Sequence, residues 1–270
     1  MICMKLSSKF GHFRKWYTTT SSATYIIPPP TAVAGILAAT AGYTKKHNAD
    51  SSYFQKLRGE NFAVVLEHTS LITQRVVEIN RKTKRKDDAH HKFRILHLLR
   101  NPSYIICYKG LWENIIANNL MKRTLPFPVY MGLTEFHANI QLLDVLHEQQ
   151  TDDITVDNAL FFSDMTDVVR FLTNINPTNP LNKKRLNLTI QNDHVVLGFD
   201  DYRRPTEFGI MVYAVTTNNK KQLIHQSIKL KSEFTLPITR VRIQDTNNYN
   251  RPHDTSKSEK ILNIYWQTFQ

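Results

Sequence analysis

The residues best suited to chemistry are cations beside aromatic rings near the N-terminus. Arg14 and Lys15 are followed directly by Trp16 and Tyr17. Cations hold phosphates and aromatic rings stack on exposed bases, which is the combination that binds single-stranded nucleic acid. The alternative is a surface loop whose Trp16 packs on the core, and for Trp16 alone the pattern favours this alternative. For Arg14 and Lys15 it favours a nucleic-acid contact.

A second concentration of charge lies in residues 81–94, which read RKTKRKDDAHHKFR and carry seven basic and two acidic side chains. Such a run cannot bury itself, so it predicts a solvated loop or a projecting hairpin tip. Like charges on one protrusion repel each other unless a partner supplies counter-charge, and a phosphate backbone would supply it. A charged loop without a partner is the alternative, and the residues alone do not decide between the two.

Other chemistry is weakly supported. His90 and His91 are adjacent and would point to opposite faces of a strand, so we expect no metal site. The acidic pairs at 87–88, 152–153 and 200–201 lie in polar, turn-like stretches of the sequence, so we expect them to be surface residues rather than catalytic carboxylates. Eight glycines without a GxGxxG or GxxxxGK[ST] pattern exclude the common nucleotide-phosphate loops, and we expect no cofactor.

Composition favours a polyanionic partner. The 270 residues include 35 Lys and Arg against 23 Asp and Glu, a net charge of +12. Cys3 and Cys107 offer neither a disulfide scaffold nor zinc spacing, and their apolar neighbours predict buried thiols on strands. We expect no signal peptide and no membrane span, hence a cytoplasmic protein.

The element that positions the first basic group is a helix. Three prolines at 28–30 precede Thr31, a good N-cap, and Gly42 is a good helix stop. Residues 32–41 carry no charge, which predicts a helix buried nearly all round. Gly35 in its middle suggests that another backbone passes close by.

The remaining pattern predicts an α+β chain. Ile2, Met4 and Leu6 alternate with Cys3 and Lys5, as in a half-buried strand. We expect a short helix at 53–57, then strands at 62–66, 71–79 and 104–108, with a turn at 101–102. A helix at 111–121 follows, with Leu111, Ile115, Ile116 and Leu120 on one face. After it we expect a turn-containing link at 129–136 and a strand at 138–145.

The second half reads as mostly β, with strands near 185–190, 194–199, 208–215, 223–230 and 261–269, and an edge strand with a cationic face at 240–242. Residues 148–157 are acidic and polar and suggest a linker or long loop. The order of elements in the first half is typical of a ferredoxin-like domain. We therefore expect one such domain at 1–147 and a β-rich region at 158–270, either separate or an extension of the same domain.

Three stretches together resemble a known family. They are YIIPPPTAVAGILAA at 25–39, NPSYII at 101–106 and PFPVYMGLTEF at 126–136. In this order they resemble the CRISPR-associated RAMP proteins of the Cas-five (Cas5) family, most closely the subtype I-B-like branch. The resemblance covers about residues 1–145 and rests mainly on the first stretch.

The resemblance implies a ferredoxin-like, RRM-related domain with a protruding basic thumb near residues 80–95. The implied role is non-catalytic: the subunit binds the 5′ handle of the guide RNA (crRNA) and caps a type I Cascade complex, contacting its backbone and large subunits. Contact with target DNA beside its flanking motif is left open. The residues expected to contact RNA are Arg14, Lys15, Trp16, Tyr25, Arg75, Arg81, Lys82, Lys84, Arg85, His91, Lys92 and Arg94.

Two alternatives remain. The first is a metal-independent endoribonuclease that processes precursor crRNA, with His91 as general base assisted by Lys92 or Tyr43. Subtype I-C members are nucleases that use a tyrosine and a Lys-His pair, and Tyr43 is similar in position to that tyrosine. Residues 109–112 read KGLW where the pair is expected, which argues against activity. The second is a general binder of single strands or anionic surfaces.

Overall fold

The computed structural model describes residues 1–18, 23–44, 52–80, 90–152, 155–172, 189–200, 204–230, 237–244 and 259–269, with side chains left out at 75–80, 90–94, 171 and 189–192.

The helices are α1 (Pro30–Ala41), α2 (Tyr53–Leu57), α3 (Glu113–Met121) and α4 (Met165–Phe171). The strands of the first half are β1 (Ile2–Ser7), β2 (Phe10–Gly11), β3 (Phe13–Arg14), β4 (Thr24–Tyr25), β5 (Asn61–Asn80), β6 (His90–Lys109) and β7 (Asn139–Thr151). The later strands are β8 (Thr155–Val156), β9 (Leu160–Phe162), β10 (Thr189–Phe199), β11 (Pro205–Thr217), β12 (Leu223–Gln226), β13 (Ile228–Lys229), β14 (Ile238–Gln244), β15 (Glu259–Tyr265) and β16 (Gln267–Thr268).

The charge-free helix α1 has no exposed residue, so its predicted burial is confirmed. It ends at Gly42, whose φ of 78° is left-handed, as expected. The N-cap is Pro29 rather than Thr31, because Pro30 already has the φ of a first helical residue and needs no amide partner. The expectation of a close backbone at Gly35 is wrong, since a Cβ there would meet only the Tyr53 hydroxyl, at 3.8 Å.

The central sheet has the strand order β5-β6-β1-β7, and all its neighbours are antiparallel. Met4 and Leu6 of β1 pack with α1 in one core, while Cys3 belongs to a second core on the other face. The expected half-buried strand is therefore wrong, because both faces of β1 are covered.

The second face is covered by the chain's own C-terminal strands. β14 pairs with β7 and β15 pairs with β14. After Trp266 the chain enters β16, which pairs with β5, so the sheet curls back on itself. Val241 and Ile264 from these strands pack against Cys3 and Val65 inside the curl. The predicted mixture of helices and sheet is confirmed, in a strand-rich form.

The two longest strands form one hairpin. β5 and β6 pair from Asn61 opposite Lys109 to Asn80 opposite His90. The predicted strands at 62–66, 71–79 and 104–108 are confirmed, but the turn at 101–102 is wrong. Asn101 instead has a φ of 47° at an irregularity in register, and the strand continues through it.

The outer part of this hairpin extends beyond the sheet. Among the described residues, Ile72–Asn80 and His90–Leu98 pair only with each other, because β2 meets β6 at Leu99 and Arg100 and β12 meets β5 at Thr69.

Strands of the second half belong to the same sheet as those of the first. β10 pairs with β11, β11 with β12, and β12 with β5. Residues 148–151, expected in a linker, instead extend β7 and pair with β14. The division into 1–147 and 158–270 remains a prediction. Helix α4 was not predicted.

Two predictions of local exposure need correction. β14 lies between β7 and β15, so it is not an edge strand, although Arg240 and Arg242 do form an exposed cationic face. In α3, Leu111 precedes the helix and is 80% exposed, so it does not share the buried face of Ile116 and Leu120. Ile115 is exposed too.

The two cysteines lie directly opposite each other in β1 and β6, and both are buried. They form a disulfide, so the expectation of free thiols is wrong. Their antiparallel register brings the Cα atoms to 4.1 Å, which a sequence does not reveal.

In the part of the chain that the structure describes, no helix combines the length and apolar character needed to cross a membrane.

Candidate nucleic-acid interface

The N-terminal basic loop has a defined shape. β3 pairs with β4, and the Lys15 amide donates to the Ala23 carbonyl at 3.1 Å. The Thr18 hydroxyl donates to the Lys15 carbonyl at 2.7 Å, and the Arg14 guanidinium donates to the Thr18 carbonyl at 2.9 Å. These bonds hold residues 13–18, the basic-aromatic loop, in one conformation; residues 19–22 lie outside the described part.

Lys15 is paired within the protein. Its ammonium donates to the carboxylate of Asp193 on β10, and the Tyr213 hydroxyl donates to the other oxygen of that carboxylate at 3.2 Å. Burial alone would lower the pKa of Lys15, but the hydrogen bond to Asp193 and its charge outweigh burial and raise the pKa. The pair anchors the basic-aromatic loop to the second half of the chain. The RNA contact expected of Lys15 remains a prediction.

Tyr25 supports the same anchor. The side chain is buried, and its hydroxyl donates to the His194 carbonyl at 2.5 Å. Burial raises the pKa of this hydroxyl, so it stays neutral. The ring of Tyr25 therefore has little surface to offer a base in this conformation, and its predicted RNA contact is not tested.

Trp16 does not pack into the core. It is half exposed, and its ring lies 4.7 Å from that of Phe208 on β11, measured between centroids. The ring of Tyr17 lies 6.0 Å away on the same loop. The sequence did not point to Phe208 or Asp193, because no short-range pattern links residues so distant in the chain to residues 14–17.

The hairpin residues expected to contact RNA are placed by register. The following pairs are formed: Arg75 opposite Ile95, His91 opposite Ile79, Lys92 opposite Glu78, and Arg94 opposite Val76. The side chains of these four predicted contacts lie outside the described part, and so do Arg81, Lys82, Lys84 and Arg85 altogether.

The base of the hairpin is tied to the basic-aromatic loop through His12. Its Nδ1 donates to the His97 carbonyl of β6 at 2.9 Å. Burial lowers the pKa of His12, and the charges of Arg14 and His97 lower it further, against the effect of the backbone bond. Neutral His12 thus ties the start of the basic-aromatic loop to the base of the hairpin at His97.

The predicted link at 129–136 packs on the same residue. The His12 amide donates to the Met131 carbonyl at 2.9 Å. At Gly132, φ is 88° and a Cβ would lie 2.0 Å from the His12 carbonyl oxygen, so only glycine fits. This close approach explains the glycine in the 126–136 stretch.

Tyr43, the tyrosine of the nuclease alternative, stacks on Trp112 with 5.5 Å between ring centroids. It borders a cleft of about 340 Å³ that Tyr53, Phe127 and Asp200 also line. The side chain of His91 is outside the described part, so the pairing of Tyr43 with His91 is not tested. Among the described residues, no group of three metal-ligating side chains is present.

The identity of the chain follows from its match to a family model described as CRISPR-associated protein (Cas_Cas5), over residues 1–159. The chain belongs to the Cas5 family. The match includes all three stretches on which the resemblance rests, and that prediction is confirmed. The subtype I-B-like branch remains a prediction. No curated protein sequence matches this Cas5 chain.

Solved structures resemble the Cas5 chain at low sequence identity. The chain is 12% identical to one titled "Cryo-EM structure of the Type III-B Cmr-beta bound to cognate target RNA and AMPPnP, state 1", with 86% of each chain covered and a TM-score of 0.51. One titled "CRISPR RNA-guided surveillance complex" is 13% identical over 82% of this chain and 92% of that one, with a TM-score of 0.44. The match to one titled "Crystal structure of Cas protein" covers 49% of this chain and only 56% of that one, at 15% identity and a TM-score of 0.33. The first likeness supports a shared fold.

Proposed function

We propose that this Cas5 chain is a non-catalytic subunit of a CRISPR surveillance complex that binds the 5′ handle of the crRNA. The main observation in support is that His12 joins the base of the projecting β5–β6 hairpin to the basic-aromatic loop, through a hydrogen bond to the His97 carbonyl. The two cationic segments, the basic-aromatic loop and the run at 81–94 that joins β5 to β6, thus belong to connected elements of a chain of net charge +12. Phosphate groups would supply the counter-charge that these segments require.

The strand order supports the finer fold assignment. In β5-β6-β1-β7, with α1 following β1 and α3 following β6, each neighbour is antiparallel, which is the arrangement of a ferredoxin-like domain. The β5–β6 hairpin would then be the thumb.

RNA would have to bind this domain differently from an RRM. RRM domains stack bases on the open face of their sheet. Here that face is the inside of the curl, filled by Val241 and Ile264. We therefore assign RNA binding to the hairpin and to the basic-aromatic loop.

The proposed partners are the backbone and large subunits of a Cascade-type complex in the cytoplasm. Contact of this subunit with target DNA beside its flanking motif stays open. The fold likeness to a chain of a Type III-B assembly, itself bound to cognate target RNA, fits membership of such a complex. The backbone and large subunits are proposed on the family relationship alone.

The test removes the cations at the hairpin tip. Alanine at Arg81, Lys82, Lys84, Arg85 and Lys86 should abolish copurification of crRNA with the full-length protein. Because a run this rich in charge cannot bury itself, its side chains should contribute little to stability, and thermal unfolding should be unchanged.

The matched control removes five exposed cations from the second half, namely Lys220, Lys221, Lys229, Arg240 and Arg242. It deletes the same charge and should retain most of the RNA. Equal loss of RNA in both variants would indicate general electrostatic attraction, and no loss in the tip variant would refute the assignment of the thumb.

The rival function is cleavage of precursor crRNA. Purified protein incubated with repeat RNA, with and without EDTA, should leave the RNA intact. A discrete product that Tyr43→Phe abolishes would replace the present proposal with a metal-independent endoribonuclease.

A further inference from the structure

Three aromatic rings are exposed where the basic-aromatic loop meets the β10–β11 hairpin. Trp16, Tyr17 and Phe208 are 48%, 47% and 47% exposed. The Trp16 ring lies between the other two, tilted by 46° to Phe208 and by 88° to Tyr17. Half exposure leaves part of each ring open to solvent, and apolar groups gathered in this way commonly mark a binding surface.

The loop that carries two of the rings is held in place by partly buried polar contacts. Lys15, next to Trp16, is paired with Asp193, and Tyr25 donates to the carbonyl of the adjacent His194. The cluster therefore stays together without a ligand, which reduces the ordering cost of binding.

The charges around the rings favour a polyanion with flat groups. Arg14 precedes them on the loop and is exposed, while the carboxylate of Asp193 is neutralised by Lys15. An apolar protein face laid over this surface would strip water from the Arg14 guanidinium without replacing it. Bases of a single strand could stack on the rings while their phosphates meet that cation.

We propose that Trp16, Tyr17 and Phe208 form a base-stacking platform for single-stranded RNA, and that the second half of the chain contributes Phe208 to it. The family match ends at residue 159, so it does not include Phe208. The inference rests on the proposed function and extends the RNA surface from the first half of the chain to the second.

The test compares bases with phosphates. Fluorescence anisotropy with the full-length protein would use a labelled oligouridylate of about eight nucleotides, within the usual range of site sizes, and an abasic strand of the same length. Trp16→Ala and Phe208→Ala should each weaken binding of the oligouridylate by roughly fivefold to a hundredfold, the usual contribution of one stacked base. Binding of the abasic strand should not change.

Two controls separate stacking from misfolding. Phe208→Trp keeps an aromatic face and should retain wild-type affinity. Phe127→Ala removes a ring that is 38% exposed beside the Tyr43 cleft and should have no effect. The oligouridylate should also quench the tryptophan fluorescence of the wild type, and much less that of Trp16→Phe.

The results distinguish this inference from the proposed function. If the wild type binds both strands and neither alanine variant changes the affinity, the platform is wrong and the rings belong to a protein contact, while RNA binding by the hairpin stands. If the wild type binds no RNA, including a strand with the handle sequence, both proposals are overturned.

Discussion

Lys15 in the basic-aromatic loop is joined to Asp193 on β10, a partner 178 positions later in the chain. The Tyr213 hydroxyl completes the group by donating to the same carboxylate. A loop expected to offer its cations to RNA thus uses one of them to fasten itself to the second half of the protein.

This pair gives a stability prediction. Asp193→Asn leaves the Lys15 ammonium partly buried without a counter-charge, so the free energy of unfolding should fall by roughly 1–3 kcal/mol. Urea unfolding measures the change. The double variant Lys15→Met/Asp193→Asn removes the unpaired charge and should recover part of the loss. A single variant as stable as the wild type would show that the pair does not hold the loop.

His12 predicts a dependence of stability on pH. Burial lowers its pKa in the folded protein below the ordinary value of 6.5. The unfolded state therefore binds a proton that the folded state does not, and stability should decline as pH falls below about 6.5. His12→Asn keeps a donor for the His97 carbonyl but does not titrate. Between pH 7 and 5 it should lose less stability than the wild type does, and an equal loss would refute this role of His12.

Gly132→Ala tests the packing of the 126–136 stretch. The substitution places a Cβ against the His12 carbonyl, at a φ that already costs about 1–2 kcal/mol for other residues. Gly59→Ala is the matched control, because Gly59 has a φ of 83° and no atom within 4 Å of its added Cβ. In urea unfolding, Gly132→Ala should be clearly more destabilising than Gly59→Ala. Equal losses would mean that φ alone requires a glycine at 132.

The disulfide predicts a thiol count. Protein denatured without reductant should show no free thiol, and reduced protein should show two, since Cys3 and Cys107 are the only cysteines. Cys3→Ala/Cys107→Ala should lower the free energy of unfolding by roughly 2–5 kcal/mol relative to the oxidised protein, because the link closes a long loop. Two free thiols in the unreduced sample would contradict the pairing.

Local patterns predicted much of the fold. The charge-free run before Gly42 was enough for α1, and the apolar runs within β5 and β6 were enough for the strands of the hairpin. The N-cap was misplaced because proline competes with threonine for the same function at the start of the helix. Leu111 was misplaced because α3 begins two residues later, at Glu113.

Contacts between distant segments could not be predicted in the same way. The disulfide depends on the register of β1 against β6, and the covered face of β1 depends on strands more than 230 residues later. Trp16 was recognised in the sequence as a candidate for stacking, but its neighbour Phe208 was not. Such pairs follow from tertiary packing, for which one sequence carries no local signal.

The central claim is that this Cas5 chain binds the 5′ end of a guide RNA. Its most direct test is to purify the full-length protein from cells that express its CRISPR array and to sequence the RNA that copurifies. The account predicts a strong enrichment of RNAs that begin with the repeat-derived handle, lost in the five-alanine variant of the hairpin tip. RNA with no preference for repeat-derived 5′ ends would contradict it and leave a general single-strand binder.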